Sequence, residues 1–177
     1  MNKTTVNFIF IIYVTILSIF ITGCDEKFKV VEKKTKIDDH FYPIKDYKLI
    51  ETNKINSVYV PVYSHIYTSE DKYEAMGITL SIRNTDFNFN LILKDISYYD
   101  TKGNLVETYL DKPHILKPMS SIDITVELID MRGGSGANFI VKYSNQDEIS
   151  EPIIQAVMLN SSSTKYFAFV TNGQLLK

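Results

Sequence analysis

Apolar residues occupy every second position over long stretches after residue 57, and this period of two constrains the fold more than any other feature of the chain. The first stretch places Val58, Val60 and Val62 between tyrosines and a proline. The same alternation returns in residues 76–83 and in residues 122–128. Because successive side chains of a strand point to opposite faces, the pattern predicts strands with one buried face each.

Shorter apolar runs and turn signals extend this prediction to most of the chain. Residues 100–104 have the composition of a hairpin connection, and residues 133–136 that of a loop. Five further runs bring the total to about eight strands: Leu91–Tyr99, Leu105–Leu110, Asn138–Tyr143, Ile153–Leu159 and Tyr166–Val170. We therefore predict an all-β, antiparallel, immunoglobulin-like β-sandwich over residues 57–177, with an open barrel as the alternative.

The first two alternating stretches also suggest a pairing. If residues 57–67 and 75–84 form a hairpin, pairing Val60 with Ile82 turns both apolar sets toward the core. The same register brings two pairs together on the outer face, Tyr59 with Arg83 and Tyr63 with Thr79. A slip of one residue would expose one apolar set to water, so the parity of the pairing is well determined.

The N-terminus has the features of a bacterial export signal. Lys3 gives it a positive start, an apolar stretch runs from Val6 to Ile21, and the only cysteine of the chain is Cys24. This order predicts a signal helix within a cleaved signal peptide, residues 1–23. The last four residues, Ile21-Thr22-Gly23-Cys24, resemble the lipobox of bacterial lipoproteins, which implies cleavage before Cys24 and acylation of its thiol.

Lipid on Cys24 would hold the mature chain at a membrane, because acyl chains partition into a bilayer with about 0.8 kcal/mol per buried methylene. The expected location is the periplasmic side of the inner membrane or the outer face of the cell membrane, depending on the type of envelope. Asp25 favours the inner membrane where there are two. An uncleaved anchor is the alternative, although the apolar stretch is shorter than the ~20 residues of a spanning helix.

Residues 24–56 are predicted to form a flexible polar tether, since they mix charges with too few apolar residues for a core. Within them, Phe41–Ile44 is expected to dock onto the folded body. The chain carries a formal net charge of −2, and removal of Lys3 with the signal peptide makes this −3. A mildly acidic chain without a basic cluster is not expected to bind nucleic acid.

Five motifs follow one another along the body: VYVPVYSHIY (58–67), LSIRNTD (80–86), YYDTKGNLV (98–106), GGSGANFIVKY (133–143) and EPIIQAVM (151–158). In this order they resemble a bacterial lipoprotein family that is catalogued as domain of unknown function 3124. The resemblance extends over residues 57–173 and implies an envelope lipoprotein with a compact domain. It implies no activity, ligand or catalytic residue.

Aromatic side chains form the first candidate binding surface. Tyr59, Tyr63, His65 and Tyr67 alternate with apolar residues and are predicted to share one strand face. Such a face offers flat apolar rings and hydroxyls to a sugar, a peptide or a peptidoglycan fragment. The structural interpretation is favoured, because tyrosine fits the pleat of a half-exposed strand.

The second candidate is the sequence Arg83-Asn84-Thr85-Asp86, at the predicted end of a strand. The planar fork of Arg83 is suited to carboxylates and phosphates. A structural turn is the favoured interpretation, with Asn84 and Asp86 bonding to nearby backbone and Arg83 stacked over Tyr59.

The third candidate is the glycine-rich segment from Asp130 to Asn138. Its backbone amides, with Arg132 beside them, are a potential anion site. Ser135 lies in a sequence that approaches the nucleophile elbow of hydrolases, but that device needs a following helix, and the residues after Asn138 predict a strand. The favoured interpretation is a tight connection that requires glycine.

No metal or cofactor is expected. The three histidines, His40, His65 and His114, show no ligand spacing. Carboxylates at Asp86, Asp100 and Asp130 would bind calcium only if they met at one end of the sandwich, and their spacing does not require this.

These features favour a non-enzymatic binding or assembly module that is held at a membrane and meets an envelope protein or peptidoglycan. The alternative is a receptor for a small ligand or anion, built from Arg83, Arg132, the glycine loop and the tyrosine face. A hydrolase of envelope polymers ranks third, because no acid, base and nucleophile converge in the sequence. The sequence does not predict the oligomeric state.

Overall fold

The computed structural model describes residues 42–43, 55–110, 112–144, 150–161 and 166–177. All of them belong to the second of two compact units, residues 35–177. The predicted signal peptide 1–23, Cys24, His40 and most of the predicted tether 24–56 lie outside the described residues. The described part consists of strands and connections, with no helix of the length and apolarity that a membrane span requires.

Thirteen strands are present in the described part, and several are too short to show an alternating pattern in the sequence. In chain order they are β1 (Tyr42–Pro43), β2 (Ile55–Val62), β3 (His65–Ser69), β4 (Lys72–Ala75), β5 (Gly77–Arg83), β6 (Leu91–Tyr99), β7 (Leu105–Thr108), β8 (His114–Leu116), β9 (Ser121–Val126), β10 (Ala137–Ser144), β11 (Ile153–Asn160), β12 (Phe167–Asn172) and β13 (Gln174–Leu175).

The strands form two main antiparallel sheets and one separate hairpin. The larger sheet has the order β1-β8-β6-β10-β2-β13, and β7 also pairs with β6. The smaller sheet has the order β12-β11-β5-β9, and β3 pairs with β4 alone. The predicted all-β antiparallel sandwich is confirmed. The open barrel is wrong, because the two sheets end in separate edge strands.

The core lies between the two sheets and follows the alternation in the sequence. In β2 the buried residues are Val58, Val60 and Val62, while Tyr59 and Pro61 are only half-buried. Tyr98 and Phe139 stack in the core with ring centroids 4.9 Å apart, and both are fully buried. Each large side chain buried in this way contributes about 1.5–3 kcal/mol to stability.

The predicted pairing of residues 57–67 with 75–84 is wrong. Val60 pairs with Phe139 on β10, whereas Ile82 pairs with Ile154 on β11 and Ile122 on β9. The β3–β4 hairpin lies between β2 and β5 and connects strands of different sheets. Alternation determines which face of a strand is buried but not which strand is its neighbour. The predicted buried faces were therefore correct, and the predicted partner strand was not.

The sandwich has two ends, which the direction of β5 defines. β5 runs from Gly77 to Arg83, about 20 Å at 3.3 Å per residue. The glycine-loop end, at Gly77, carries the β3–β4 hairpin and the segments 100–104 and 130–136, which are joined by backbone hydrogen bonds such as Ser64 N–H to Gly134 O (3.0 Å). The Arg83 end carries residues 84–90, 117–120 and 150–152.

The first described strand shows where the N-terminal part of the chain approaches the body. Tyr42 pairs with Ile115 and Pro43 with His114, so β1 runs antiparallel to β8. Since β8 runs toward the Arg83 end, β1 enters the larger sheet from that end. The expected docking of residues around Tyr42 is confirmed for this strand.

Candidate functional site

The most exposed group of packed aromatic side chains in the described part belongs to the β3–β4 hairpin, here called the aromatic hairpin (residues 65–75). The centroid of the His65 ring lies 5.2 Å from that of Tyr67 and 5.0 Å from that of Tyr73. The two tyrosine rings meet edge to face at 6.3 Å. Tyr67 and Tyr73 are nevertheless 59% and 56% exposed, so the cluster is ordered by its own contacts and remains open to a partner.

The hairpin is fixed to the sandwich at its base. Ser64 is fully buried; its amide donates to Gly134 O, and its carbonyl accepts from Met76 N–H (2.9 Å). On the other side of the base, Asn160 Nδ2 donates to Ala75 O at 2.9 Å. Among the described strands, β3 and β4 pair only with each other, in a register that places Tyr67 opposite Tyr73. This pairing brings the two rings to the same face.

The predicted tyrosine face is divided by the structure into three places. Tyr59 lies on the outer face of the larger sheet, where it pairs with Ile140 and Gln174. Tyr63 packs edge to face on Phe169, with centroids 5.8 Å apart. His65 and Tyr67 alone enter the aromatic hairpin. A continuous face was wrong because the chain leaves the larger sheet after Val62, at the end of β2.

Sequence reasoning missed Tyr73. The available signal was the polar segment 68–72, Thr-Ser-Glu-Asp-Lys, with one tyrosine directly on each side of it. A polar turn between two aromatic residues is typical of a short hairpin with a cross-strand aromatic pair.

The ring of His65 carries a nitrogen atom for which the cluster offers no hydrogen-bond partner. The ring is half-buried between the two tyrosines, and its Nδ1 atom is shielded from water without a hydrogen-bond partner in the described part. A buried polar atom without a partner costs free energy, and a bound group that reached it would recover that cost.

Charges are unevenly distributed between the two ends. The described residues at the glycine-loop end include seven carboxylates and only three basic groups. The carboxylates are those of Glu70, Asp71, Glu74, Asp100, Glu107, Glu127 and Asp130, and the basic groups are those of Lys72, Lys102 and Arg132. At the Arg83 end the described residues include three basic groups, Arg83, Lys117 and Lys177, and two carboxylates, Asp86 and Glu151. The aromatic hairpin therefore stands where the described carboxylates are in excess.

Arg132 is already paired with carboxylates. Its Nη2 atom lies 2.6 Å from Asp130 Oδ2 and 2.9 Å from Glu107 Oε2. The hydrogen bonds from Arg132 lower the pKa of Asp130, and the same two carboxylates raise the pKa of Arg132. The cation of the potential anion site is thus neutralised within the protein.

The glycine loop is a tight connection. Gly134 N–H donates to Ser64 Oγ at 2.8 Å, and Gly136 N–H donates to Thr101 Oγ1 at 2.9 Å, so two amides of the potential anion site have internal partners. Ser135 is half-buried within this loop. The residues that follow form strand β10, as predicted, and the nucleophile elbow is absent there. Asn138 lies on β10 opposite Tyr99 and Pro61.

The segment Arg83–Asp86 is a structural turn, as predicted. Asn84 is buried, and its Nδ2 donates to three carbonyls, those of Phe89 (2.8 Å), Leu116 and Lys117 (3.1 Å each). Asp86 accepts from the amides of Asn88, Phe89 and Ser150. These bonds, that from Asn88 first, lower the pKa of Asp86. The predicted stacking of Arg83 over Tyr59 is wrong, because the two residues belong to different sheets, and Arg83 Nε instead donates to Ser81 Oγ (3.3 Å).

The two ends also separate residues that were grouped as candidates. Arg83 and Asp86 lie at one end, while Arg132, Asp130 and Asp100 lie at the other, about 20 Å away along β5. A receptor site that contains both arginines and a calcium site that contains all three aspartates are therefore wrong. Among the described residues, no three His, Cys, Asp or Glu side chains meet in a group that would hold a metal ion.

A small pocket opens beside β13, with a volume of about 80 Å³. It is lined by Val58, Tyr143, Glu151, Pro152, Ile154, Gly173 and Leu175. This volume is well below the ~300 Å³ of a typical small-molecule site.

Comparisons with known proteins identify a family and a distant likeness. The profile of the family described as "Protein of unknown function (DUF3124)" matches residues 55–176. No curated protein matches the sequence. Among solved structures, the chain is similar to the crystal structure of Thermotoga maritima 1070, with 14% identity over 70% of this chain and 96% of that one and a TM-score of 0.41.

Proposed function

This chain belongs to the family described as a protein of unknown function, DUF3124, and we propose that it is a lipid-anchored, non-enzymatic binding module of the bacterial cell envelope. In this proposal Cys24 carries the lipid, and the aromatic hairpin binds an envelope protein. The observation that carries the proposal is the position of the hairpin, at the end of the sandwich opposite to the one from which β1 enters the larger sheet.

The composition of the hairpin supports a role in protein binding. Tyrosine is enriched in protein interfaces because it offers a large rigid ring at low entropic cost together with a hydroxyl. Tyr67 and Tyr73 are more than half exposed yet held by each other and by His65. A surface that is already ordered loses less entropy on binding.

The direction of β1 supports the glycine-loop end as the accessible end of the sandwich. Tyr42 lies 18 positions after Cys24 and enters the sheet from the Arg83 end. The surface of a bacterial membrane is rich in anionic headgroups, which repel carboxylates. In this proposal the carboxylates of the glycine-loop end disfavour its contact with the lipid surface, which leaves the aromatic hairpin accessible to a partner.

The anchor is tested by the mature N-terminus and by one substitution. Cys24→Ser is expected to leave an unprocessed precursor or to release the protein from membranes, and the wild-type protein to yield an acylated N-terminal peptide that begins at Cys24. A wild-type product with an intact leader or a bare thiol at Cys24 would contradict the anchor.

The binding surface is tested by chemical crosslinking in intact membranes, followed by quantification of the proteins that co-purify. The double variant Tyr67→Ser/Tyr73→Ser is expected to reduce the amount of the specific partner that co-purifies at least tenfold. Phe87→Ser is the matched control, because Phe87 is an aromatic residue that is 79% exposed at the Arg83 end. Equal loss in both variants, or recovery of peptidoglycan fragments in place of a protein, would contradict the proposal.

A further inference from the structure

The smaller sheet has two edge strands that differ in charge. Strand β9 carries Asp123 in its exposed face, and Glu127 follows it directly. Strand β12 has no charged residue, and the uncharged sequence around it extends from Tyr166 to Leu176. Natural sheets usually protect an open edge with charge, proline or a bulge, since unpaired backbone groups accept another strand. In the described part, β12 pairs with β11 alone; its Thr171 hydroxyl also donates to Pro61 O of β2 at 2.6 Å, but no second strand pairs with its backbone.

The outer face next to this edge is apolar. Val157 pairs with Val170, and Leu159 pairs with Ala168, across strands β11 and β12. Val170 is 54% exposed and Leu159 is 46% exposed. On β5 the same rows continue with Thr79 and Gly77, so the apolar face is confined to the β12 side of the sheet.

We propose that β12 pairs antiparallel with β12 of a second copy of this chain, across a two-fold axis. The two four-stranded sheets would then form one continuous sheet. The axis would pass near Phe169, and Val170 of each copy would face Ala168 of the other. This register continues two apolar rows across the interface, each formed by Val157, Val170 and then Ala168 and Leu159 of the second copy.

A second copy fits this edge better than a different strand would, because the edge is complementary to itself. Side chains that face each other across antiparallel strands lie on the same face, so the register above places apolar residues against apolar residues. No like charges meet, since β12 contains none. The same pairing through β9 would bring Asp123 of both copies onto one face, which is unfavourable.

The association is tested by measuring the molar mass of the mature chain, extracted from membranes in mild detergent, by sedimentation and light scattering over a range of concentrations. The wild-type protein is expected at twice the mass of one chain after subtraction of detergent. Val170→Lys is expected to weaken association at least tenfold, because it places two cations in the interface. Thr125→Lys, at an exposed position of the opposite edge strand, is the matched control and is expected to remain dimeric.

Folding of each variant is checked by circular dichroism, and Ala168→Glu gives a second, independent disruption of the same rows. A wild-type chain that stays monomeric at all concentrations would overturn the proposal. So would a folded Val170→Lys variant that dimerises as well as wild type, or a Thr125→Lys variant that dissociates to the same extent.

Discussion

The hydroxyl of Tyr98 lies against the backbone of Gly133, so closely that a Cβ atom at residue 133 would overlap it. Tyr98 is fully buried in the core, and its hydroxyl has no hydrogen-bond partner in the described part. Burial of the ring raises the pKa of Tyr98 to about 12. The core of the larger sheet and the conformation of the glycine loop therefore depend on each other at this contact.

Gly133→Ala is expected to destabilise the fold by about 1–3 kcal/mol, the usual cost of overpacking. The new methyl group would meet Tyr98 and would also approach Ala137 Cβ at 2.8 Å. Removing the hydroxyl with Tyr98→Phe should relieve part of the strain and should not itself be destabilising, since the hydroxyl is unpaired. Urea unfolding of both single variants and the double variant measures the coupling. If Gly133→Ala lowered the free energy of unfolding as much in the Tyr98→Phe background as in the wild type, the contact with the Tyr98 hydroxyl would not be the cause of the loss.

Asn84→Ala is expected to cost about 2–4 kcal/mol, because it leaves buried carbonyls of Phe89, Leu116 and Lys117 without the amide that joins them. Thr85→Val is the control, since the Thr85 hydroxyl makes one exposed bond to Glu151 O, and it should cost less than half as much. Denaturant unfolding checks both values. A loss for Asn84→Ala no larger than for the control would contradict a structural role for this amide.

Acid should destabilise the protein in part through Asp86. The amides of Asn88, Ser150 and Phe89 lower its pKa in the folded state, so between that lowered value and the unfolded value near 3.9 the unfolded chain binds more protons. The stabilisation is complete above the unfolded pKa and disappears as the pH falls through the folded pKa. Asp86→Asn should reduce the slope of unfolding free energy against pH in that range. The slope should not fall to zero in the variant, because Asp100 and Asp130 also have lowered pKa values. A slope equal to that of the wild type would contradict the role assigned to Asp86.

Arg132 should not act as an anion receptor. Its side chain is 55% exposed and already bound to Asp130 and Glu107, and exposed pairs of this kind contribute no more than about 1 kcal/mol. Arg132→Ala should therefore change stability only slightly, and millimolar sulfate or phosphate should protect wild type and variant from thermal unfolding equally. Protection of the wild type alone would revive the receptor hypothesis.

Local features of the fold were predictable from the sequence. Period-two alternation correctly indicated which apolar residues of β2, β5 and β9 are buried, and turn composition located the connection after Tyr99 and the glycine loop. Five motifs identified the family, which the match to residues 55–176 confirms. These features are encoded by residues close together in the chain.

Strand partners and the candidate site were less predictable, because they depend on contacts between distant segments. Val60 has its neighbour 79 positions away at Phe139, and no local pattern distinguishes that partner from Ile82. To predict the aromatic hairpin, one would have to know that the chain leaves the sheet at Ser64. This departure is evident only from the hydrogen bonds between Ser64 and Gly134. The neutralisation of Arg132 by Glu107 is also a long-range contact.

The aromatic hairpin as the binding surface is tested most directly by site-specific photocrosslinking in living cells. A photoreactive amino acid is placed at Glu70, in the exposed turn of the aromatic hairpin, in one strain and at Thr125, an exposed position of β9, in another. One discrete protein adduct is expected at residue 70 and none at residue 125. The same adducts at both positions, or an adduct at residue 125 alone, would contradict this expectation.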